Sequence, residues 1–248
     1  MRAREKNGAR WMKAELHAHC SLDPDDYRMC RFSPEHLISQ AAVLGYEILA
    51  ITCHNLDIWN HELSDFARCK GIVLLPGMEV SCEGNRHVLV YNFKTGAENL
   101  NTLEKISKRS RPDTLVVAPH PYFPGETCLG NLLAGHMDIF DAIELSGFCV
   151  PGIDFNRKAA KVAAGHKKPT MGSGDIHLLW QLGKTCTCIY SQPDVSHIIA
   201  AIKEGNVQME MKELTYFQAA WWWATALWRH RTPAPTSSSP AILDGPFN

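Results

Sequence analysis

Short apolar runs alternate with stretches of helical periodicity along most of this chain. A strand is predicted at 14–19, and a polar, acidic loop separates it from a helix. That helix has a clear start: Ser33 can cap it, Pro34 suits its first turn, and Glu35 faces the positive end of the dipole. Leu37, Ile38, Ala41 and Leu44 then recur at helical spacing until Gly45. The pattern repeats with strand 47–52, helix 60–70 and strand 72–75, then strand 87–93 and helix 97–109. Strand 114–118 precedes helix 128–135, and strand 141–145 precedes helix 154–164. Strands at 169–172 and 185–190 follow, the second leading into helix 193–205. Strands interleaved with helices in this way are the mark of an α/β protein.

Beyond Gly205 the character changes. A helix is predicted at 216–229, carrying Tyr216, Phe217, Trp221, Trp222, Trp223 and Trp228, and its aromatic side is expected to pack on the main body. From Thr232 the run Pro-Ala-Pro-Thr-Ser-Ser-Ser-Pro reads as a flexible tail. The organisation is therefore a domain at 1–212, a Trp-rich helix at 213–231 and a tail at 232–248. A length of 248 residues suits one α/β domain. The formal net charge of −1 gives no global pull towards nucleic acid or anionic membranes. The longest apolar stretch, 219–228, is too short to cross a bilayer. The first eleven residues lack the apolar core of a secretory signal. With nine cysteines, no CxxC pair and reduced, mostly buried thiols expected, a cytoplasmic location fits best.

Coordinating side chains recur at the ends of the predicted strands. His17 and His19 close the first, His54 follows the second, and Glu79 follows strand 72–75. His87 opens the next apolar run, His120 closes another, and Asp175 and His177 follow 169–172. Imidazole and carboxylate together are the ligands of Zn, Mn and Fe sites. Side chains alternate along a strand, so His17-x-His19 presents both rings to one side, and Asp175-x-His177 repeats that spacing. A doubly wound sheet brings only the strands beside its switch point to a ligand, whereas a barrel brings every carboxyl end to one mouth. The expected architecture is thus a TIM-like (β/α) barrel with a metal cluster at the C-terminal ends of its strands.

The motifs resemble those of the PHP (polymerase and histidinol phosphatase) superfamily, in family order, over roughly Lys13 to Gly205. Glu15-Leu16-His17-Ala18-His19 is similar to the first motif and Ile51-Thr52-Cys53-His54-Asn55 to the second. Pro76-Gly77-Met78-Glu79-Val80 with His87 resembles the third, and Ala118-Pro119-His120-Pro121 the fourth. Gly172-Ser173-Gly174-Asp175-Ile176-His177 resembles the last, with Glu144 and Asn156 placed ahead of it as in the family. The resemblance implies a distorted seven-stranded barrel holding two or three divalent ions, Mn, Zn or Fe. By position, His17, His19, Glu79 and Asp175 would hold one ion, with Glu79 bridging to a second completed by His54, His87 and His120. A third would use Asp23, or Asp25 or Asp26 in its place, with His54 or His177.

Two departures from the family pattern stand out: Cys53 replaces an aspartate and could offer a soft ligand, and Gly174 is an added glycine. Ions so held lower the pKa of bound water and neutralise phosphoryl charge. The expected activity is therefore metal-dependent hydrolysis of a phosphate ester by a metal-bridging hydroxide, with His177 or Asp23 as the acid for the leaving oxygen. The substrate class is a small phosphomonoester, a nucleotide or a short oligonucleotide, and duplex nucleic acid is not expected. Arg31, Arg157 and Lys184 lie near site loops; Arg157 is the candidate phosphate contact, although each also reads as a solvated surface charge. His36, His61, His136, His166, His197 and His230 fall on helices or their ends and are read as non-ligands. Two alternatives stand beside this reading: an amidohydrolase-like enzyme, which would need a bridging lysine, and a non-catalytic interaction module.

Overall fold

Ten strands and seven α-helices follow one another along residues 8–231, the part of the chain that the computed structural model describes. The expected tail at 232–248 and the side chain of His230 lie outside the described residues. The first elements are β1 (Arg10–Glu15), α1 (Pro34–Val43), β2 (Ile48–Ala50), α2 (His61–Cys69) and β3 (Val73–Leu75). Then come β4 (Gly77–Cys82), β5 (Arg86–Tyr91), α3 (Leu103–Arg109), β6 (Leu115–Ala118), α4 (Leu132–Gly135) and β7 (Ala142–Ser146). The chain continues through α5 (Asn156–Gly165), β8 (Thr170–Ser173), β9 (Thr185–Ser191), α6 (Val195–Lys203), β10 (Val207–Met211) and α7 (Tyr216–Arg231).

Local chemistry sets several of these boundaries. The side chains of Ser33, Asn60, Thr102 and Asp194 accept from the backbone amides of His36, Leu63, Lys105 and His197, capping α1, α2, α3 and α6. Each such cap contributes about 1 kcal/mol. Gly45 turns the chain out of α1 with φ 75. The Thr102 cap explains why the helix expected from 97 starts only at 103, after a separate 3-10 turn. The helix expected over 128–135 shrinks to the single turn of α4. Two strands, β4 and β10, had no counterpart in the periodicity.

The strands form two five-stranded sheets, ordered β10-β9-β1-β2-β3 and β4-β5-β6-β7-β8. The fold is mixed α/β, but hydrogen bonding does not close it into the expected seven-stranded barrel. No continuous ladder joins the two sheets, and the pairing also departs from an all-parallel barrel: β4 with β5, β5 with β6, β1 with β9 and β9 with β10 all run in opposite directions. Two isolated bridges, Ala18 with Ile176 and His54 with Glu79, carry backbone pairing from one sheet to the other. Met12, Ala14, Ile48 and Ala50 from the first sheet share an interior with Leu89, Tyr91, Leu115 and Val117 from the second. The opposite faces pack separately, one against α1 and α2 and the other against α3 and α5. All nine cysteines are free thiols, and Cys69 alone is exposed. No helix among the described residues is long and apolar enough to cross a membrane.

Candidate metal centre

The shared interior ends in a buried polar layer, and backbone constraints build it. Glu15, fully buried at the end of β1, accepts from the amides of Leu16 and His17 at 3.0 Å and from Gly174 at 3.0 Å. Burial pushes its carboxyl up to about 8 against the lowering effect of those amides. The carboxyl thus staples the His17-Ala18-His19 turn to the Gly174-Asp175-Ile176-His177 turn. The added glycine has a steric reason: a Cβ on Gly174 would lie 2.2 Å from Ile176 Cδ1 and 3.0 Å from Glu15 Oε2. Asp175 and His120 adopt positive φ values of 48 and 28, a conformation few non-glycine residues accept and one that clusters at functional sites.

Seven of the residues expected as ligands converge. Glu79 Oε2 lies 3.1 Å from His17 Nε2, 3.4 Å from His19 Nε2 and 3.2 Å from His54 Nε2. Asp175 Oδ1 lies 3.3 Å from both His17 Nε2 and His19 Nε2. The other oxygen, Glu79 Oε1, faces His87 Nδ1 at 2.8 Å and His120 Nε2 at 3.3 Å. Tetrahedral ligands about 2.1 Å from an ion stand about 3.4 Å from one another, so these spacings are those of a coordination shell. The bonding pattern agrees. His19 Nε2, Glu79 Oε1 and Asp175 Oδ1 are enclosed yet make no aligned hydrogen bond despite their close neighbours, as expected of lone pairs aimed at a common point. Nitrogen and oxygen donors in this number fit divalent Zn, Mn or Fe.

Strand direction explains the placement of Glu79, expected after a strand, and of His87, expected to open one. Glu79 sits inside β4 and His87 is the second residue of β5. Because β5 runs antiparallel to β4, its beginning rather than its end lies beside the site, and alternation puts His87 and Leu89 on the face shared with Glu79. His17, His19, His54, His120, Asp175 and His177 do follow their strands.

A second ring of groups orients the first. Glu144 Oε1 lies 2.8 Å from His17 Nδ1 and accepts from Ser173 Oγ, while Oε2 accepts from the His120 amide at 2.7 Å. This leaves Nε2 of His17 for the cluster. Asp23, placed among the ligands and acids on sequence grounds, does the same work for two histidines. Its Oδ2 lies 2.8 Å from His19 Nδ1 and 3.1 Å from His54 Nδ1, and Oδ1 accepts from the amides of Asp25 and Asp26. His19, Asp23 and His54 are close enough to enclose an ion, but Asp23 also accepts from the His54 amide at 2.8 Å. Its oxygens thus meet both rings and three backbone amides. Asp26, half-buried, has Oδ2 3.0 Å from His177 Nε2.

His177 is fixed by Gln181, whose Oε1 accepts from its amide at 3.0 Å and whose Nε2 donates to the Asp175 carbonyl. His120 Nδ1 lies 3.4 Å from Cys128 Sγ. Glu15, Gln181 and Cys128 were missed as site-builders, and no spacing marks them. Cys53, the candidate soft ligand, lies in the apolar core against Cys20, with the two sulfurs 3.5 Å apart.

In the metal-free chain the cluster holds itself together by opposite charge. Burial favours neutral forms, but Asp175, Glu144 and Glu79 hold His17 protonated well above the usual imidazole range. Against the same burial, His17, His87 and His54 hold Glu79 well below the usual carboxylate range. His177 stands at about 10, burial being outweighed by Asp175 and Asp26.

The cluster forms the floor of a cavity of about 650 Å³, within the range of small-molecule sites. Neither Arg31, Arg157 nor Lys184 lines it. Arg157 is exposed beside Asn156, and the buried positions of α5, Asn156, Ala159 and Ala163, turn it outward. Arg31 stacks over Trp228 at 5.3 Å. Asn156 clamps Ser146, accepting from its amide and donating to its carbonyl at 2.9 Å. His36, His61, His136, His166 and His197 are absent from the cavity lining.

The comparisons with known proteins agree with this picture. A family model described as PHP-associated matches residues 154–207, from the loop before α5 to the first residue of β10. An uncharacterized protein of Methanocaldococcus jannaschii is 25% identical over 150 residues, 55% of this chain and 85% of that protein. A two-domain protein of Bacteroides vulgatus containing a predicted PHP-like metal-dependent phosphoesterase superposes with a TM-score of 0.59 at 14% identity. That match covers 86% of this chain and 68% of the other. PsfC from Pseudomonas syringae superposes with a TM-score of 0.58 at 17% identity, covering 89% of this chain and 98% of that one. The two structures share the fold. The PHP-associated match is confined to the α5–β10 segment and is consistent with the resemblance carried by the motifs.

Proposed function

We propose that this chain is a metal-dependent hydrolase of small phosphate esters, using two divalent ions. The observation that carries this reading is the carboxylate of Glu79, one oxygen facing His17, His19 and His54 and the other facing His87 and His120. A carboxylate so placed is suited to bridge a pair of ions. His17, His19, Asp175 and Glu79 would hold one, and His87, His120, Glu79 and His54 the other. When bound, such ions supply an activated water near neutral pH and neutralise phosphoryl charge in an in-line displacement.

The chain's own residues have separable parts in this. Glu144 and Asp23 hold His17, His19 and His54 in the tautomers that free Nε2. His177, set at the cavity edge between Asp26 and Asp175, holds a proton that a leaving oxygen requires. Asp23 is enclosed behind the histidines and is unsuited to that transfer. The amidohydrolase alternative finds no support, since no lysine lines the cavity among the described residues. The near-complete ligand set also weighs against a purely structural module.

The test is metal content followed by turnover. The chain purified without chelators, and again after Mn or Zn loading, is assayed by elemental analysis and with p-nitrophenyl phosphate and bis-p-nitrophenyl phosphate. About two equivalents of metal and chelator-sensitive release of nitrophenol are expected. A loaded protein that leaves both esters intact would remove the hydrolase reading.

A further inference from the structure

The walls of the cavity differ in kind from its floor. Six aromatic side chains line them: Phe123, Phe148, Phe155, Tyr216, Trp222 and Trp223. They form two banks, each joined to a histidine of the floor. Phe123 lies 6.5 Å from His120 and 5.1 Å from Phe155. On the other side Trp222 lies 6.2 Å from His177, edge to face, 5.2 Å from Phe148 and 5.1 Å from Trp223. Ties to the backbone fix the second bank: Tyr216 Oη donates to the Pro151 carbonyl at 2.6 Å and the Leu214 amide to the Cys149 carbonyl at 2.7 Å.

No lysine or arginine lines the cavity among the described residues. Apart from Thr127, the polar side chains of the wall are largely engaged. Ser146 Oγ accepts from Phe148, Gln181 binds the backbone of 174–178, and Tyr216 serves Pro151. The Trp222 indole N–H is enclosed and has no acceptor among the described residues.

From this arrangement we infer that the aromatic banks select phosphate esters whose organic part is a planar aromatic group, with Trp222 the principal specificity residue. The inference rests on the phosphoesterase reading for the phosphate end only. With no cation in the walls, the phosphate is left to the floor, and the walls contribute contact with the leaving group. Rings on both sides favour a flat aromatic group by stacking and edge-to-face contact. A sugar or polyol would instead place hydroxyls against walls whose polar groups are largely engaged, leaving them unpaired.

The experiment compares kcat/KM of the Mn-loaded full chain for 1-naphthyl phosphate and glycerol 2-phosphate. A preference of about tenfold or more for the naphthyl ester is expected, the size of one aromatic contact. In Trp222→Ala that ratio should fall about tenfold, through KM, and Trp222→Phe should keep most of it. Because the ratio is internal to one preparation, partial unfolding does not move it. A ratio near one in the unaltered chain, or one untouched in Trp222→Ala, would overturn the inference. If neither ester is turned over, the phosphoesterase reading fails separately, and calorimetric titration of 1-naphthol into the same proteins decides. Binding that weakens in Trp222→Ala upholds the slot, whereas no binding overturns it.

Discussion

Glu79 and Trp222 face the same cavity but are held there in different ways. Glu79 lies within β4, paired across the hairpin with Leu89 and bridged to His54, and it is 1% exposed. Its neighbours arrive on turns stapled by Glu15, Asp23 and Glu144. Trp222 sits on a helix that follows the last strand, and ring contacts with Phe148, Trp223 and His177 set its place. The floor is thus a backbone construction in which each atom has one position. The wall is a packing construction in which rings can be exchanged. Chemistry and selectivity are separable by mutation in such a molecule, and substitutions on either side of the division measure how complete it is.

The largest effect is expected at the bridging carboxylate. Glu79→Gln should reduce turnover by at least about a thousandfold and leave at most one ion per chain, since an amide cannot bridge two cations. Elemental analysis alongside kcat checks this, and full metal content would refute the bridging role. Next comes Glu144→Gln, which loosens His17 without touching an ion. Metal affinity should fall about 10- to 100-fold in competition with a chromophoric chelator, and unchanged affinity would reduce Glu144 to a buried structural acid.

Gly174→Ala should cost about 1–3 kcal/mol, because its methyl meets Ile176 and the Glu15 carboxylate. Urea titration at constant m reads this directly. Trp222→Ala, by contrast, should bind its full complement of metal. A loss of ions there would show that floor and wall are one unit.

The smallest effect is that of pH. The pKa of His177 in the folded, metal-free chain is about 10, raised from the ordinary imidazole range near 6.5. Its protonation therefore stabilises the fold fully below about pH 6.5, and that contribution is lost as pH rises towards 10. Ion binding requires neutral imidazoles and releases protons, so the gain in Tm on Mn or Zn loading should grow from pH 6 to pH 8. Thermal melts with and without chelator test both slopes, and a gain that shrinks with pH would contradict the ligand assignment.

The convergence of the candidate ligands was legible in the sequence because each motif is short and local. His17-x-His19 and Asp175-x-His177 need only strand alternation to converge, and the order of motifs supplied the rest. β4 is hard to read because Gly77–Cys82 follows β3 after one residue, and Pro76-Gly77 signals a break without signalling a new strand beyond it. Without β4 the β4–β5 hairpin is invisible, and without β10 so is the antiparallel edge of the other sheet. The different surroundings of Asp23 and Asp26, offered as alternatives on sequence grounds, were equally out of reach. Three aspartates within four residues are chemically alike, and only the turn that gives Asp23 the amides of Asp25 and Asp26 tells them apart. The aromatic wall drew notice as composition, but its two banks come from separate segments, at 123, 148–155 and 216–223, that no periodicity relates.

The two bridges between the sheets have one more consequence. His54 with Glu79 and Ala18 with Ile176 join the segments that follow β2 and β1, inside the first sheet, to β4 and the segment after β8, at the two edges of the second. The coordinating atoms come from both sides of those edges: His17, His19 and His54 from one sheet, and Glu79, His87, His120 and Asp175 from the other. An ion held among them is a clasp between two plates as well as a reagent. Stripped of its ions, the chain should exchange amide hydrogens faster at 17–19, 52–55 and 174–177 than in the sheet centres. Metal supply would then set how firmly the halves are laced together as well as how fast the protein works.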